Sequence, residues 1–239
     1  MKSESINYRH KYDEYNLIKI SSKPLPIGKV LISWVAMLIV FFSATQFFIG
    51  TISYFILTFG MLLILGFQYG FSAVRQLFGP IKKGTKRWIF IYLILCFAFS
   101  IAIDFLFKPT ASEHVSLKEI SKMPLLKFLL DMGSMTFSLI GEEVCVAILS
   151  FPIFGWLYQL PKIRRYAFFI SGIVSSVVFG IAHLPVYEGN WFQCIFLIGL
   201  PRIFYNYAWR KSDSMWAGLW AHTLNNLLPY SIVYFGFRH

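Results

Sequence analysis

Long apolar runs alternate along this chain with short intervals of polar and mostly basic residues. The runs cover about residues 27–48, 51–71, 88–107, 125–158, 166–184, 191–209 and 214–237. A helix crossing a bilayer needs about 20 apolar residues, so the pattern predicts an all-α polytopic transmembrane helical bundle of about seven spans, within six to eight. The first two runs are joined by a short uncharged connection and predict a tight helical hairpin. The fourth is too long for one perpendicular crossing at about 1.5 Å per residue; it has to tilt, bend near Pro152 or begin on the surface. The intervals divide the chain into a polar tail at 1–26, three spans at 27–107, a loop or interfacial helix at 108–127 that holds His114, and a core of about four spans at 128–239. No internal repeat stands out.

Composition sharpens this class. With 57% hydrophobic and 14% charged residues and a mean hydropathy of +0.62, the chain lies outside the usual range of soluble domains. Its net charge of +11 could suggest nucleic acid. The Lys and Arg fall between apolar runs rather than on a folded soluble module, so no nucleic-acid partner is expected. Sorted by side, seventeen basic residues share the face of the N-terminal tail and five lie on the other. Cytoplasmic loops carry the excess of Lys and Arg, which predicts a multi-pass protein of the cell membrane with a cytoplasmic N-terminus and an external C-terminus. The tail lacks the basic region followed directly by an apolar core that marks a cleaved export signal. Cys96, Cys145 and Cys194 each lie inside an apolar run and read as small hydrophobic residues.

The polar residues inside the runs are the anomaly. Glu142 and Glu143 are adjacent in the fourth run, His183 closes the fifth, and His222 and Asn226 lie in the seventh. A charged side chain at membrane depth costs at least about 2.5–3.5 kcal/mol. Residues four apart share a helix face, so Phe179 points with His183, and His222 with Asn226. Two readings stay open. Each group alone can be interhelical hydrogen-bonding glue. As a set, two carboxylates and two imidazoles are kept most economically in one water-filled pocket. In such a pocket a Glu with a His beside it can activate water. A second His and an Asn amide can then donate hydrogen bonds to the oxyanion formed on a carbonyl, which outlines an amide hydrolase. The sequence holds no Gly-x-Ser-x-Gly, His-Glu-x-x-His or Gly-x-Gly-Asp alternative. Asp104, near the end of the third run, reads as a solvated interfacial residue.

The order Glu142-Glu143, Phe179-x-x-x-His183 and His222-x-x-x-Asn226, each in its own run, resembles the CPBP (Abi) family of CAAX-prenyl-protease-like membrane proteins over about residues 125–228. The resemblance implies an intramembrane endopeptidase acting in the lipid bilayer on a peptide or a membrane-tethered protein. It makes Glu142 the water-activating carboxylate with His183 beside it, Glu143 a supporting carboxylate, and His222 with Asn226 the oxyanion site. The expectation is the glutamate type, with no metal or other cofactor. The alternative is zinc on Glu142, His183 and His222 with Glu143 as base, since two imidazoles and a carboxylate suit a catalytic zinc site. The family's first motif reads Glu-Glu-x-x-x-Arg, whereas Ala147 stands at the sixth position here. That departure bears on activity and on the role of Glu143. Arg202 is either a replacement cation or an interfacial side chain whose charge reaches out to water. The second reading, favoured by Ala147, is a non-catalytic membrane regulator or bacteriocin self-immunity protein of the same fold, with a sensor or secretion-system partner left open. A proton-coupled carrier is the third. The pocket is expected nearer the external face.

Overall fold

The computed structural model describes residues 15–46, 50–107 and 117–236. Residues 1–14 of the predicted tail and the loop residue His114 lie outside the described residues. The described chain is helical: α1 (Asn16–Ser21), α2 (Ile27–Gln46), α3 (Thr51–Tyr69), α4 (Phe71–Leu77), α5 (Arg87–Phe107), α6 (Leu117–Lys122), α7 (Leu125–Tyr158), α8 (Ala167–Ala182), a π-helical segment (Gln193–Gly199), α9 (Arg202–Ser212) and α10 (Met215–Gly236). This is the helical membrane bundle that the apolar runs predict. The helices α2, α3, α5 and α7, and α8 together with the 3-10 turn Arg164–Tyr166 before it, are long and apolar enough to cross a bilayer.

The two remaining runs are also helical, but the sixth is broken and the seventh is diluted by polar residues. The sixth is not one continuous α-helix. A π-helical segment ends at Gly199, and α9 starts after Pro201, whose ring removes an N–H donor. Gly180 of α8 sits directly against this break: a Cβ there would run into the carbonyl oxygen of Cys194 and lie 3.2 Å from Gly199 Cα. Small residues let the two backbones approach this closely. The seventh run, α10, carries His222, Asn225 and Asn226 and is less apolar for that reason.

At Pro152, where a bend is one of the three expectations for the fourth run, α7 continues unbroken over 34 residues. Proline has no N–H, so the carbonyl of Ile148, four residues back, loses its helical partner. Trp34 Nε1 donates to that oxygen at 3.1 Å and Gln68 Nε2 at 3.3 Å. A freed backbone acceptor in an apolar setting needs replacements of this kind.

Two opposite faces emerge. On one, α1 lies against the end of α7: Trp156 Nε1 donates to the carbonyl of Leu25, and Gln159 Nε2 to that of Ser22. The α4–α5 and α9–α10 connections meet there too, through Lys82 N to the Ser212 carbonyl and Ser214 Oγ to the Gly79 carbonyl. This face gathers the basic intervals around Lys82, Lys162 and Arg210, and its described acid is Asp213. On the other face, Phe128 at the start of α7 stacks on Tyr234 near the end of α10, with ring centroids 4.0 Å apart. Asp104 is exposed near the end of α5, on this second face, as its sequence position suggests.

Candidate active site

Glu142 and Glu143 are neighbours on α7, yet they face different surroundings. Consecutive helical residues point about 100° apart, so one of the pair can be buried while the other is not. The Glu143 side chain is 0% exposed and that of Glu142 is 19% exposed. Glu143 is fully engaged: Oε1 accepts from Arg202 Nη2 at 2.6 Å and contacts His222 Nδ1 at 2.9 Å, while Oε2 accepts from Trp209 Nε1 at 2.7 Å. A buried carboxylate is tolerable when it is paired and its lone pairs are filled, as here.

Arg202 is the cation of this network. It is 1% exposed, so it does not reach out to an interface. Its guanidinium also lies 4.3 Å from the ring centre of Phe179, and its Nη1 is 3.9 Å from Glu142 Oε2. Trp209 follows Arg202 by seven residues, two helical turns, so both side chains of α9 reach the same carboxylate. The indole also meets Phe151 edge-on, with centroids 6.1 Å apart. Residues 143, 147 and 151 form one stripe of α7, and Trp209 touches both of its ends. The side chain at the middle position, Ala147, is small and 0% exposed.

Glu142 faces a cavity of about 710 Å³, whose lining also includes His183, His222, Asn225 and Asn226. Four of the five predicted site residues therefore share one cavity, and Glu143 stands behind it. The tautomers of the two imidazoles follow from their partners. His183 Nδ1 lies 2.8 Å from the Phe179 carbonyl, which can only accept, so Nδ1 carries the proton and Nε2 is left with its lone pair. Phe179 thus seats both the Arg202 guanidinium, on its ring, and His183, through its carbonyl. The shorter contact of His222 Nδ1 is to a carboxylate oxygen, which also only accepts; the Arg202 Nη1 contact at 3.2 Å is the longer one. Nδ1–H therefore points at Glu143, and Nε2 turns toward Glu142 Oε2, 3.9 Å away. Tyr205 stacks on the His222 ring at 4.9 Å and fixes its plane.

Residues 124–228 match the family described as type II CAAX prenyl endopeptidase Rce1-like. This region, under half of the chain, is similar to that family. No curated protein and no solved structure matches the chain. The Rce1-like region spans α7 to most of α10 and contains all five predicted site residues together with Arg202 and Trp209. With the apolar helices, it marks a membrane protein. The match supports an intramembrane endopeptidase of the CAAX type in general, with a peptide or membrane-protein substrate in the bilayer.

Three residues of this site escape a reading of sequence alone. Trp209 looks like any aromatic in an apolar run; its spacing from Arg202 is the available signal. Tyr205 and Asn225 are similar cases: Asn225 Nδ2 donates to Asn226 Oδ1 at 3.5 Å, and so orients the neighbouring amide. The zinc alternative would use Glu142, His183 and His222, all of which line the cavity. Among the described residues no three His, Cys, Asp or Glu side chains group closely enough to hold a metal ion. Glu143, the carboxylate that would serve as base, already accepts from Arg202 and Trp209 and lies against His222 Nδ1.

Proposed function

We propose that this protein is a glutamate-type intramembrane endopeptidase, and that Glu142 activates the attacking water. The observation that carries the reading is the division of labour between the two carboxylates. Glu143 is spent on a buried network, whereas Glu142 reaches an accessible cavity with two imidazoles and an amide around it. A water can sit within hydrogen-bond reach of both Glu142 Oε2 and His222 Nε2, which are 3.9 Å apart. Glu142 takes the proton of that water as the oxygen attacks the peptide carbonyl. His183, with its free Nε2, shares the proton on its way to the leaving amine.

His222 enters as a donor only once Nε2 has taken a proton from solvent before the attack, so that the water's own proton passes through Glu142 and His183 alone. Glu143 against Nδ1–H then stabilises the resulting imidazolium and holds its ring in place, as the carboxylate of a serine-protease triad does for its histidine. The protonated Nε2 and the Asn226 amide together meet the developing oxyanion. Arg202 supplies from α9 the positive charge that the first motif lacks at Ala147, and Trp209 covers the space above that alanine.

The test compares peptide termini in membranes of cells producing the wild-type chain with those producing Glu142→Gln at equal level. Termini that appear only with the wild type support the endopeptidase. Identical termini, with a host phenotype retained by the variant, would favour the regulator or self-immunity reading instead.

A further inference from the structure

The cavity extends well beyond Glu142. From there it follows one stripe of α7 through Leu139, Met135, Met132 and Asp131 to Phe128. These positions are mostly three or four apart and share a face. At the helical rise per residue, Asp131 lies about 16 Å along α7 from Glu142. This arm runs toward the second face, away from the one where the Lys and Arg intervals collect. In a chain of net charge +11, the Lys- and Arg-free described lining holds two carboxylates, Glu142 and Asp131. Met123, Met132 and Met135 give the arm a soft apolar wall that adapts to different side chains.

We infer that this arm binds an apolar peptide segment carrying a basic side chain about five residues from the reacting bond, with Asp131 as its acidic subsite. The spacing follows because an extended strand covers about 3.3 Å per residue. The inference rests on the reading of Glu142 as the reacting carboxylate. Lys127, one turn back, holds Asp131 with Nζ 2.9 Å from Oδ2. Both side chains are substantially exposed, and exposed pairs at this spacing are weak, so a substrate cation competes with Lys127 on even terms. The peptide arrives from the face opposite the one where most of the Lys and Arg collect.

The test measures binding to the full-length protein in nanodiscs of zwitterionic lipid, in a Glu142→Gln background so that no hydrolysis intervenes. The probes are two fluorescein-labelled peptides of Leu, Ala and Ser that differ in one residue, Lys or Glu. The Lys peptide is expected to bind more tightly than the Glu peptide. Asp131→Asn should weaken the Lys peptide by about threefold. Lys127→Ala should tighten it by about twofold, because the internal competitor is gone. Asp131→Lys should reverse the preference. The subsite is overturned if the two peptides bind equally, if Asp131→Asn leaves the preference intact, if Lys127→Ala weakens the Lys peptide, or if neither peptide binds above empty nanodiscs. Should Asp131→Asn fail to fold, the sign of the Lys127→Ala effect decides. If the preference behaves as expected and the wild-type chain cuts neither peptide, the subsite stands and the endopeptidase reading fails.

Discussion

The two halves of α7 do different work. From Leu125 to Phe137 its one buried residue is Phe128; from Ser138 to Gly155 nearly every residue is buried. The second half is an anchor, packed on α3 and α8 and held at its end by the segment around α1. The first half is a wall of the cleft. Glu142 and Glu143 sit close to this change of surroundings, and the helical rotation between them assigns one to each role. A carboxylate needed for proton transfer has to stay accessible; one that orients an imidazole is best held rigidly in a dry, paired site.

The sharpest way to break this contrast is to remove each carboxylate function separately. Glu142→Gln should lower cleavage by about 10²–10⁴-fold, the usual contribution of a positioned acid or base. It should leave thermal unfolding nearly unchanged, because the ionic contacts of Glu142 with Arg202 and His222 are both 3.9 Å long. Arg202→Met should do the reverse and act first on the fold. It leaves Glu143 buried without its cation, a loss of about 3–5 kcal/mol, visible as a lower unfolding temperature in detergent and poor recovery from membranes. Arg202→Lys keeps the charge but loses the planar fork, and should fall between the two. If Arg202→Met unfolds normally and Glu142→Gln does not, the roles are exchanged.

Gly218→Ala tests the same network one layer further out. A Cβ on α10 there would run into the Trp209 indole and lie 2.8 Å from the Tyr205 carbonyl oxygen. Overpacking of this kind costs about 1–3 kcal/mol. The indole N–H is what moves, so thermal stability and cleavage should fall together, and Trp209→Phe, which removes that donor along with part of the buried ring system, should also lower both. A Gly218→Ala variant as stable as the wild type would mean that α9 and α10 slide apart freely and that Trp209 is not a fixed support.

Much of this was legible in the sequence because membrane burial makes polar residues conspicuous. Glu142, His183, His222 and Asn226 stand out from apolar runs, and the structure brings all four to one cavity. The apolar runs also give the helices. The difference between Glu142 and Glu143 was not legible: helical geometry says that they diverge, and only the packing of α9 says which one is covered. Arg202 was ambiguous because a lone Arg in an apolar run reads equally as a paired cation or as an interfacial side chain. Trp209 was invisible, since burial and hydrogen bonding of an indole leave the same apolar pattern as packing alone. The break at Pro201 had a signal in Gly199-Leu200-Pro201, but the run around it is apolar enough to mask it.

The smallest expected effect concerns what holds the anchored half in place. Asp213, in the turn between α9 and α10, has φ +51° and accepts through its two carboxylate oxygens from the backbone N–H groups of Asn16, at 3.1 Å, and Leu17, at 2.9 Å. It thereby caps α1 from a distant part of the chain. A helix of six residues has little stability of its own. The cap therefore matters for keeping Ser21 and Lys23 against Gly155, where a Cβ would lie 2.7 Å from the Lys23 carbonyl oxygen. Asp213→Gly keeps the left-handed backbone and removes the acceptor, so the change isolates the cap; it should cost about 1 kcal/mol. Asp213→Asn retains one acceptor and a side chain that tolerates this backbone, and should cost less. Hydrogen exchange at the amides of residues 16–21 reads the effect directly: Asp213→Gly should speed it while exchange in the second half of α7 stays slow. Unchanged exchange in α1 would show that the segment is held by burial of Leu17 and Ile20 alone. Faster exchange in α7 as well would show that the anchor depends on it, and would tie the rigidity behind Glu143 to the basic face of the bundle.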